Sequence, residues 1–443
     1  MSRMLTRAAV ALGILLVVFA VAFQRSAAQA PAAGGAVTAL TGVRIIDGTG
    51  RAPIEQGTIV MANGRIVAAG AASAVQIPAG ATRIDLAGKT VMPGIVNAHG
   101  HVQHQTKAMP IREDLTRRLR TYESYGVTTV VSLGQTSMEE TAEVLRLRDE
   151  QDAIALDRAR VYTSGPSIRG QKTPEETRMT VNRYADMKVD RIKTHVAANM
   201  SPEAYGALVD QAHQRGLGAF AHIFYLKEAE MMVGHGVDVI AHSVRDQDVP
   251  PAFIAEMKRK NVGYIPTLTR DLSLVVYETL PAFFKDPFFL RGIDVYREQV
   301  DLISRPEYQE QMRKDPQTAV IKKALDQATR NLKLLSDGGV TIAMGTDSGT
   351  DEGRWQGYFE QVEIEMMAKA GMTPMQVIVA ATGNAAKVSK LDHVGTIAAG
   401  KAADLVVLDA NPLEDILNTR NINSVWIGGR RLGATAPSTA SAR

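Results

Sequence analysis

The sequence contains no cysteine, and that absence removes three chemistries at once. Disulfides cannot staple the chain, thiolates cannot ligate a metal, and lipidation at a cysteine is excluded. Any metal must be held by histidine, aspartate, glutamate or something rarer. An excess of one charge is also missing: 50 basic residues against 47 acidic ones give a formal charge of +3. That balance argues against the strongly basic surface of a nucleic-acid or membrane-surface binder. What the sequence does have is length. A chain of 443 residues exceeds one ordinary core. It suits a large α/β barrel, about 250 residues or more, beside a smaller domain.

Residues 1–28 read as a secretory signal. Arg3 and Arg7 precede an uncharged apolar run from Ala8 to Phe23, and the small-residue stretch QRSAAQAPAAGG follows. Cleavage is expected after Ala28, because a cut after Ala30 would put the rigid ring of Pro31 directly beyond the bond. An uncleaved anchor is the competing reading, since the apolar run approaches the length of a membrane span, about 18 residues. Either outcome exports the body to the periplasm or the medium. With the leader removed, no stable membrane span is expected.

Residues 29–36 form a loose Ala/Gly/Pro linker, after which short alternating runs appear: TGVRIID, GTIVMANGRIVAAG and TRIDLAGKTV. The Asn63-Gly64 pair between apolar runs is a strong hairpin signal. A similar pattern returns in GKAADLVVLD and INSVWIGGRRL. The groups at 37–92 and 391–433 are therefore expected to build one discontinuous β-sandwich, with 434–443 a disordered tail. Between them, over 93–390, strand-like runs alternate with helical patterns, the signature of a parallel sheet with crossover helices. The fold expected is an α/β, (β/α)8 TIM-like barrel. Its eight strands would be GIVNAHGH, VTTVVSLG, RVYTSG, RIKTHV, GAFAHI, DVIAHS, GYIPTL and VTIAMGTDS. Helical segments such as SPEAYGALVDQAHQRG lie between them, with Ser201 as N-cap and Pro202 at the first helical position. The connection after the seventh strand is long, 269–337, and its VVYETLPAFFKDPFFL is too aromatic for a plain surface loop. A lid over the site, a contact between copies in a homo-oligomer, or packing on the barrel rim would each account for it.

Active sites of such barrels form at the C-terminal ends of the strands. His99 and His101 close the first strand as an i, i+2 pair, His222 closes the fifth, His242 the sixth and Asp347 the eighth. Neutral imidazoles and a carboxylate suit zinc or a related divalent ion, and their convergence from separate strands gives a cage no single helix could supply. RIKTHV adds Lys193 and His195, which share one face of the fourth strand. His213 and His235 face the opposite end of the barrel and His393 falls at the return to the β-sandwich, so structural roles are expected for all three. His104 sits in the polar loop QHQT.

These motifs resemble the amidohydrolase superfamily, most closely its imidazolonepropionase-like and prolidase-like branch. The resemblance rests on GKTVMPGIVNAHGHV at 88–102, AHQRGLGAFAHIFYLKEAEMMVGHGVDVIAHS at 212–243 and AMGTDSG at 343–349. It continues through ATGNAAKVSKLDHVGTIAAGKAADLVVLDANPLEDI at 381–416. It implies a distorted barrel with a composite β-sandwich and a metal centre that activates water. Residue by residue, it implies His99 and His101 on a buried metal, with Asp347 as its eighth-strand ligand and proton shuttle. His222 and His242 match the ligands of a second, more exposed metal. Lys193 matches the lysine that binuclear members carboxylate to bridge both ions. A plain ammonium would be repelled by two dications, whereas the neutral amine and carbon dioxide give an anionic carbamate with one oxygen for each metal. The cofactors implied are two divalent ions, zinc foremost, and carbon dioxide held as N6-carboxylysine at Lys193. Two ions about 3.5 to 4 Å apart would share one hydroxide. His195 is expected to touch substrate or support the site.

The reaction implied is cleavage of an amide or peptide C–N bond in a small molecule, a dipeptide as in prolidases or an N-acyl amino acid. Tyr225, Arg245 in HSVRD and Arg270 in TLTR are placed to meet it, the arginines binding a carboxylate. Salt bridges to Asp246, Asp248 or Asp271 are the other use for those arginines. Three further readings share these residues. A mononuclear deaminase or cyclic-amide hydrolase would use His99, His101, His222 and Asp347 without a carbamate. A binuclear lactonase would act on an ester carbonyl, and an exported metal- or solute-binding protein would keep the fold without catalysis.

Overall fold

The computed structural model describes residues 36–153, 155–196 and 200–433. The signal, most of the linker and the tail at 434–443 lie outside the described residues. The described chain opens with β1 (Thr38–Ile45), β2 (Ile54–Ala62), β3 (Arg65–Ala71), β4 (Thr82–Asp85) and β5 (Thr90–Pro93). β2 and β3 pair antiparallel across Asn63 and Gly64, which take φ of 51° and 75°. That left-handed pair is what a two-residue hairpin turn requires.

Two parallel sheets follow. β6 (Ile95–Gly100), β7 (Val127–Ser132) and β8 (Arg160–Thr163) form one; β9 (Arg191–His195), β10 (Gly218–His222), β11 (Val239–Ala241) and β12 (Gly263–Ile265) form the other. Their residues are buried almost throughout, as strands covered on both faces must be. Amphipathic helices make the crossovers. The helix Pro202–Gln214 begins as expected, with the Ser201 side chain accepting from Ala204 N.

Single bridges link the sheets: Ile168 pairs with Thr194 between β8 and β9, and Tyr264 of β12 pairs with Ile342. Ala98 N of β6 donates to Met344 O at 3.0 Å. Among the described residues, seven of the eight expected runs are strands and the last, VTIAMGTDS, is not. Its backbone contains Gly345 and turns left-handed at Asp347, φ 59°, so it leaves the extended path before a ladder can form.

β13 (Leu405–Leu408), β14 (Ile422–Ile427) and β15 (Arg430–Arg431) return to the first group. β13 lies antiparallel to β5, so both ends of the described chain share one sheet in the order β15-β14-β13-β5-β1-β2-β3, with β4 on β1. Leu40, Val43, Ile59, Val91, Leu405 and Trp426 belong to its hydrophobic core.

The long connection after β12 folds into helices at Ile293–Ile303, Pro306–Lys314 and Pro316–Asp337, preceded by short helical turns. Its Tyr277, Phe284, Phe289 and Tyr296 are buried with Tyr125, Trp355 and Tyr358 in an aromatic core of their own. These rings therefore pack on one another and on residues from outside the connection. Among the described residues no helix is long and apolar enough to cross a membrane.

Candidate metal centre

The parity of RIKTH decides how β9 faces the barrel. Thr194 points away and its Oγ1 donates to Ile168 O at 2.8 Å, leaving Lys193 and His195 on the opposite face. There Lys193 meets His99 from β6, His195 meets His222 from the end of β10, and His242 follows directly after β11. All five, with His101 and Asp347, line a cavity of about 720 Å³. Lys193 Nζ lies 3.3 Å from His99 Nε2. Asp347 Oδ1 lies 2.8 Å from His101 Nε2 and 3.2 Å from His99 Nε2. The ring centroids of His99 and His242 are 4.6 Å apart, those of His222 and His242 4.2 Å, and those of His195 and His222 4.2 Å.

Backbone constraints bring these side chains together. His242, Thr267 and Asp347 take φ of 68°, 49° and 59°. Non-glycine residues reach that region at a cost of roughly 1 to 3 kcal/mol each and concentrate at functional sites. Thr267 Oγ1 lies 2.7 Å from His242 Nδ1, and His101 Nδ1 lies 3.2 Å from the Gly134 carbonyl. Asp347 N donates to His99 O at 2.7 Å and His101 N to Ser348 O at 2.8 Å, which zips the end of β6 to the loop carrying Asp347. Gly345 is required there, since a Cβ would sit 2.7 Å from His99 Cβ.

A buried carboxylate behind the site completes the frame. Glu360 Oε1 accepts from Asn97 Nδ2 at 2.5 Å, Thr346 Oγ1 at 2.7 Å and Ser348 Oγ at 2.6 Å, while Asn97 Oδ1 accepts from His99 N at 2.9 Å. Sequence reasoning missed Asn97, Glu360, Thr267 and Arg354. Asn97 alone left a trace, standing two residues before His99 in NAHGH.

The amidohydrolase family model matches residues 90–432. The chain belongs to the amidohydrolase family. It is similar to a 5-methylthioadenosine/S-adenosylhomocysteine deaminase of Halalkalibacterium halodurans, 25% identical over 414 residues, covering 84% of this chain and 85% of that one. It is also similar to an imidazolonepropionase of Nocardia farcinica, 25% identical over 395 residues, covering 84% and 92%. Among solved structures, a protein of Bifidobacterium longum provisionally named a prolidase superposes with a TM-score of 0.72 at 26% identity, covering 90% of this chain and 94% of that one. This amidohydrolase is accordingly a hydrolase acting on C–N bonds.

Burial sets the electrostatics of the amidohydrolase site. It pulls His99 down to about 3, with the Lys193 charge adding to the effect. It pulls His195 down to about 3 as well, with Lys193 and Arg169 adding. Burial likewise holds His222 and His242 well below the usual imidazole range. Their lone pairs are therefore free for a cation. Burial also draws Lys193 down to about 7, against the opposing pull of Asp347. For Asp347, burial pushes the carboxyl up, but the Arg354 charge and the bonds from His101 and His99 outweigh it and hold the group well below the usual carboxylate range.

These residues fit a metal. His99, His101 and Asp347 bring one ligand atom each within 4.8 Å of one another. The Nε2 atoms of both His99 and His101 turn toward the same oxygen of Asp347, at 3.2 and 2.8 Å. Two imidazole nitrogens and a carboxylate oxygen converging on one point are a donor set that suits a divalent ion.

The expected substrate contacts separate in space. Arg245 and Arg270 both pair with Asp271 Oδ1, at 2.5 and 2.7 Å, and lie over the Phe224 ring at 3.5 and 4.5 Å. The salt bridge foreseen as their alternative use is thus the one formed. Arg270 borders the cavity, while Arg245 and the 49% exposed Tyr225 are outside its lining. Elsewhere, His213 pairs with Asp238 at 2.8 Å, His393 with the Tyr162 hydroxyl at 2.7 Å, and His104 with Asp114 at 3.4 Å.

Proposed function

We propose that this amidohydrolase cleaves an amide or peptide C–N bond in a small carboxylate-bearing molecule, a dipeptide or an N-acyl amino acid. In this reading it holds two divalent ions, zinc or a related metal, across a carboxylated Lys193. Lys193 itself carries the proposal. It is 1% exposed, its Nζ is 3.3 Å from His99 Nε2, and it has no ion pair among the described residues. Asp347 acts on an ammonium there only from beyond ion-pair distance, so burial is not offset by a direct carboxylate partner. Attack of the neutral amine on carbon dioxide forms an N–C bond and releases a proton, leaving an anionic carbamate that can bind cations.

His99, His101 and Asp347 would hold the buried ion, His222 and His242 the second. When bound, the ions supply Lewis-acid polarisation of the scissile carbonyl and a lowered pKa for water. Asp347 Oδ1 faces the histidines and is placed to accept a proton from water and return it to the leaving amine. Arg354 meanwhile keeps the carboxylate oriented through Oδ2, and His195 forms the cavity wall beside His222.

The same reading includes an eight-stranded barrel over 93–390 and a discontinuous β-sandwich from 37–92 and 391–433. Support comes from the bridges at Ile168 and Ile342 and from the sheet shared by β5 and β13. It also includes export, on the strength of the leader; N-terminal sequencing of the exported chain should begin at Gln29.

A metal-dependent turnover screen over dipeptides, N-acyl amino acids, lactones and aminated heterocycles tests the proposal. Turnover confined to amides with metal loaded is the expected result. The second reading, deamination of a heterocycle, is favoured by the deaminase similar over 85% of its length. It would show as ammonia release from heterocycles alone, with one ion bound and Lys193 unmodified.

A further inference from the structure

Three guanidinium groups border the cavity, those of Arg169, Arg270 and Arg354. Two are already committed. Arg270 pairs with Asp271 at 2.7 Å, and Arg354 pairs with Asp347 at 2.6 Å and Asp351 at 3.0 Å. Arg169 is exposed and makes no hydrogen bond or ion pair with any described residue.

The backbone that carries Arg169 is nevertheless fixed. Ile168 N donates to Lys193 O at 2.8 Å, and Ile168 O accepts from Thr194 Oγ1 at 2.8 Å. Those bonds pin the loop after β8 to β9 beside the residue at the centre of the site. Arg169 therefore projects from a rigid point on the wall that also carries His195. A fixed stem with an uncommitted planar fork is how proteins present arginine to a carboxylate.

We infer that Arg169 is the specificity-determining residue that anchors the substrate's free carboxylate, a role that Arg245 and Arg270 cannot fill while Asp271 holds them. This inference rests on the amide-hydrolase reading for its substrate class. Because an exposed arginine is already solvated, its discrimination comes from the two parallel hydrogen bonds it can make to a carboxylate but not to a carboxamide.

The test compares two probes on the metal-loaded protein, N-acetylphenylalanine and its carboxamide, measured by calorimetric binding and by turnover of the matching dipeptide acid and amide. The unaltered protein should bind the acid at least about tenfold more tightly. Arg169→Ala should equalise the two probes without weakening the carboxamide, and Arg169→Lys should restore part of the preference. Circular dichroism should be unchanged, since the side chain is exposed and makes no ion pair among the described residues. A preference for the acid that survives in Arg169→Ala, or one absent from the unaltered protein, overturns the assignment. Selective acid binding without any C–N cleavage would instead remove the hydrolase reading and leave the anchor standing.

Discussion

Arg354 holds the oxygen of Asp347 that the histidines leave free. Its Nη1 donates to Oδ2 at 2.6 Å, while His101 and His99 face Oδ1 at 2.8 and 3.2 Å. The carboxylate is divided between an ion pair that orients it and an edge open to metal and proton. Both partners are buried, so removing one strands the other's charge. Arg354→Met is expected to destabilise the fold by about 3 kcal/mol. Urea denaturation checks this, and an unchanged midpoint would take Arg354 out of the frame.

Asp347→Asn keeps the shape and one acceptor oxygen but cannot carry a proton. Metal content should persist while turnover falls by roughly 10² to 10⁴. Metal analysis and kinetics on one preparation separate the two effects. Full activity in this variant would end the shuttle role.

Lys193→Met preserves much of the volume and removes the amine. The variant should lose one of the two ions, and native mass spectrometry should show the carboxyl increment on the unaltered chain only. An unaltered protein that binds two ions with no added mass would rule out the carbamate bridge.

Glu363 gives stability a pH dependence. It is buried and accepts from Leu268 N, Thr269 N and Thr269 Oγ1. Burial raises its carboxyl from 4.5 to about 7 despite those bonds. A carboxyl raised in the folded state keeps its proton after the unfolded chain has released it. Its contribution is therefore full below pH 4.5 and lost as pH rises through about 7. The loss amounts to about 3 kcal/mol across that window. Glu363→Gln should flatten the stability profile there, measured by denaturation at a series of pH values. Identical slopes would contradict the assignment.

Much of this was legible in the chain itself. The histidines, Lys193 and Asp347 could be picked out because strand ends in a parallel barrel point one way, and period-two alternation put Lys193 and His195 on one face. The hairpin at Asn63-Gly64 was legible for a local reason, since few residue pairs tolerate two left-handed positions. The aromatic segment was ambiguous because burial against Trp355 and Tyr358, far off in sequence, is not a local property.

The sequence by itself determined the donor set, through residue types whose chemistry and periodicity are fixed before folding. Only the tertiary structure decided which charges are free. Arg245 and Arg270 look like anchors in the sequence, and Arg169 looks like one more loop residue. Folding brings Asp271 against the first two, and leaves the third without an ion pair among the described residues at the wall of the cavity. Charge is a property of the residue, but its neutralisation depends on what lies within a few ångströms, and that is set by packing across the whole chain.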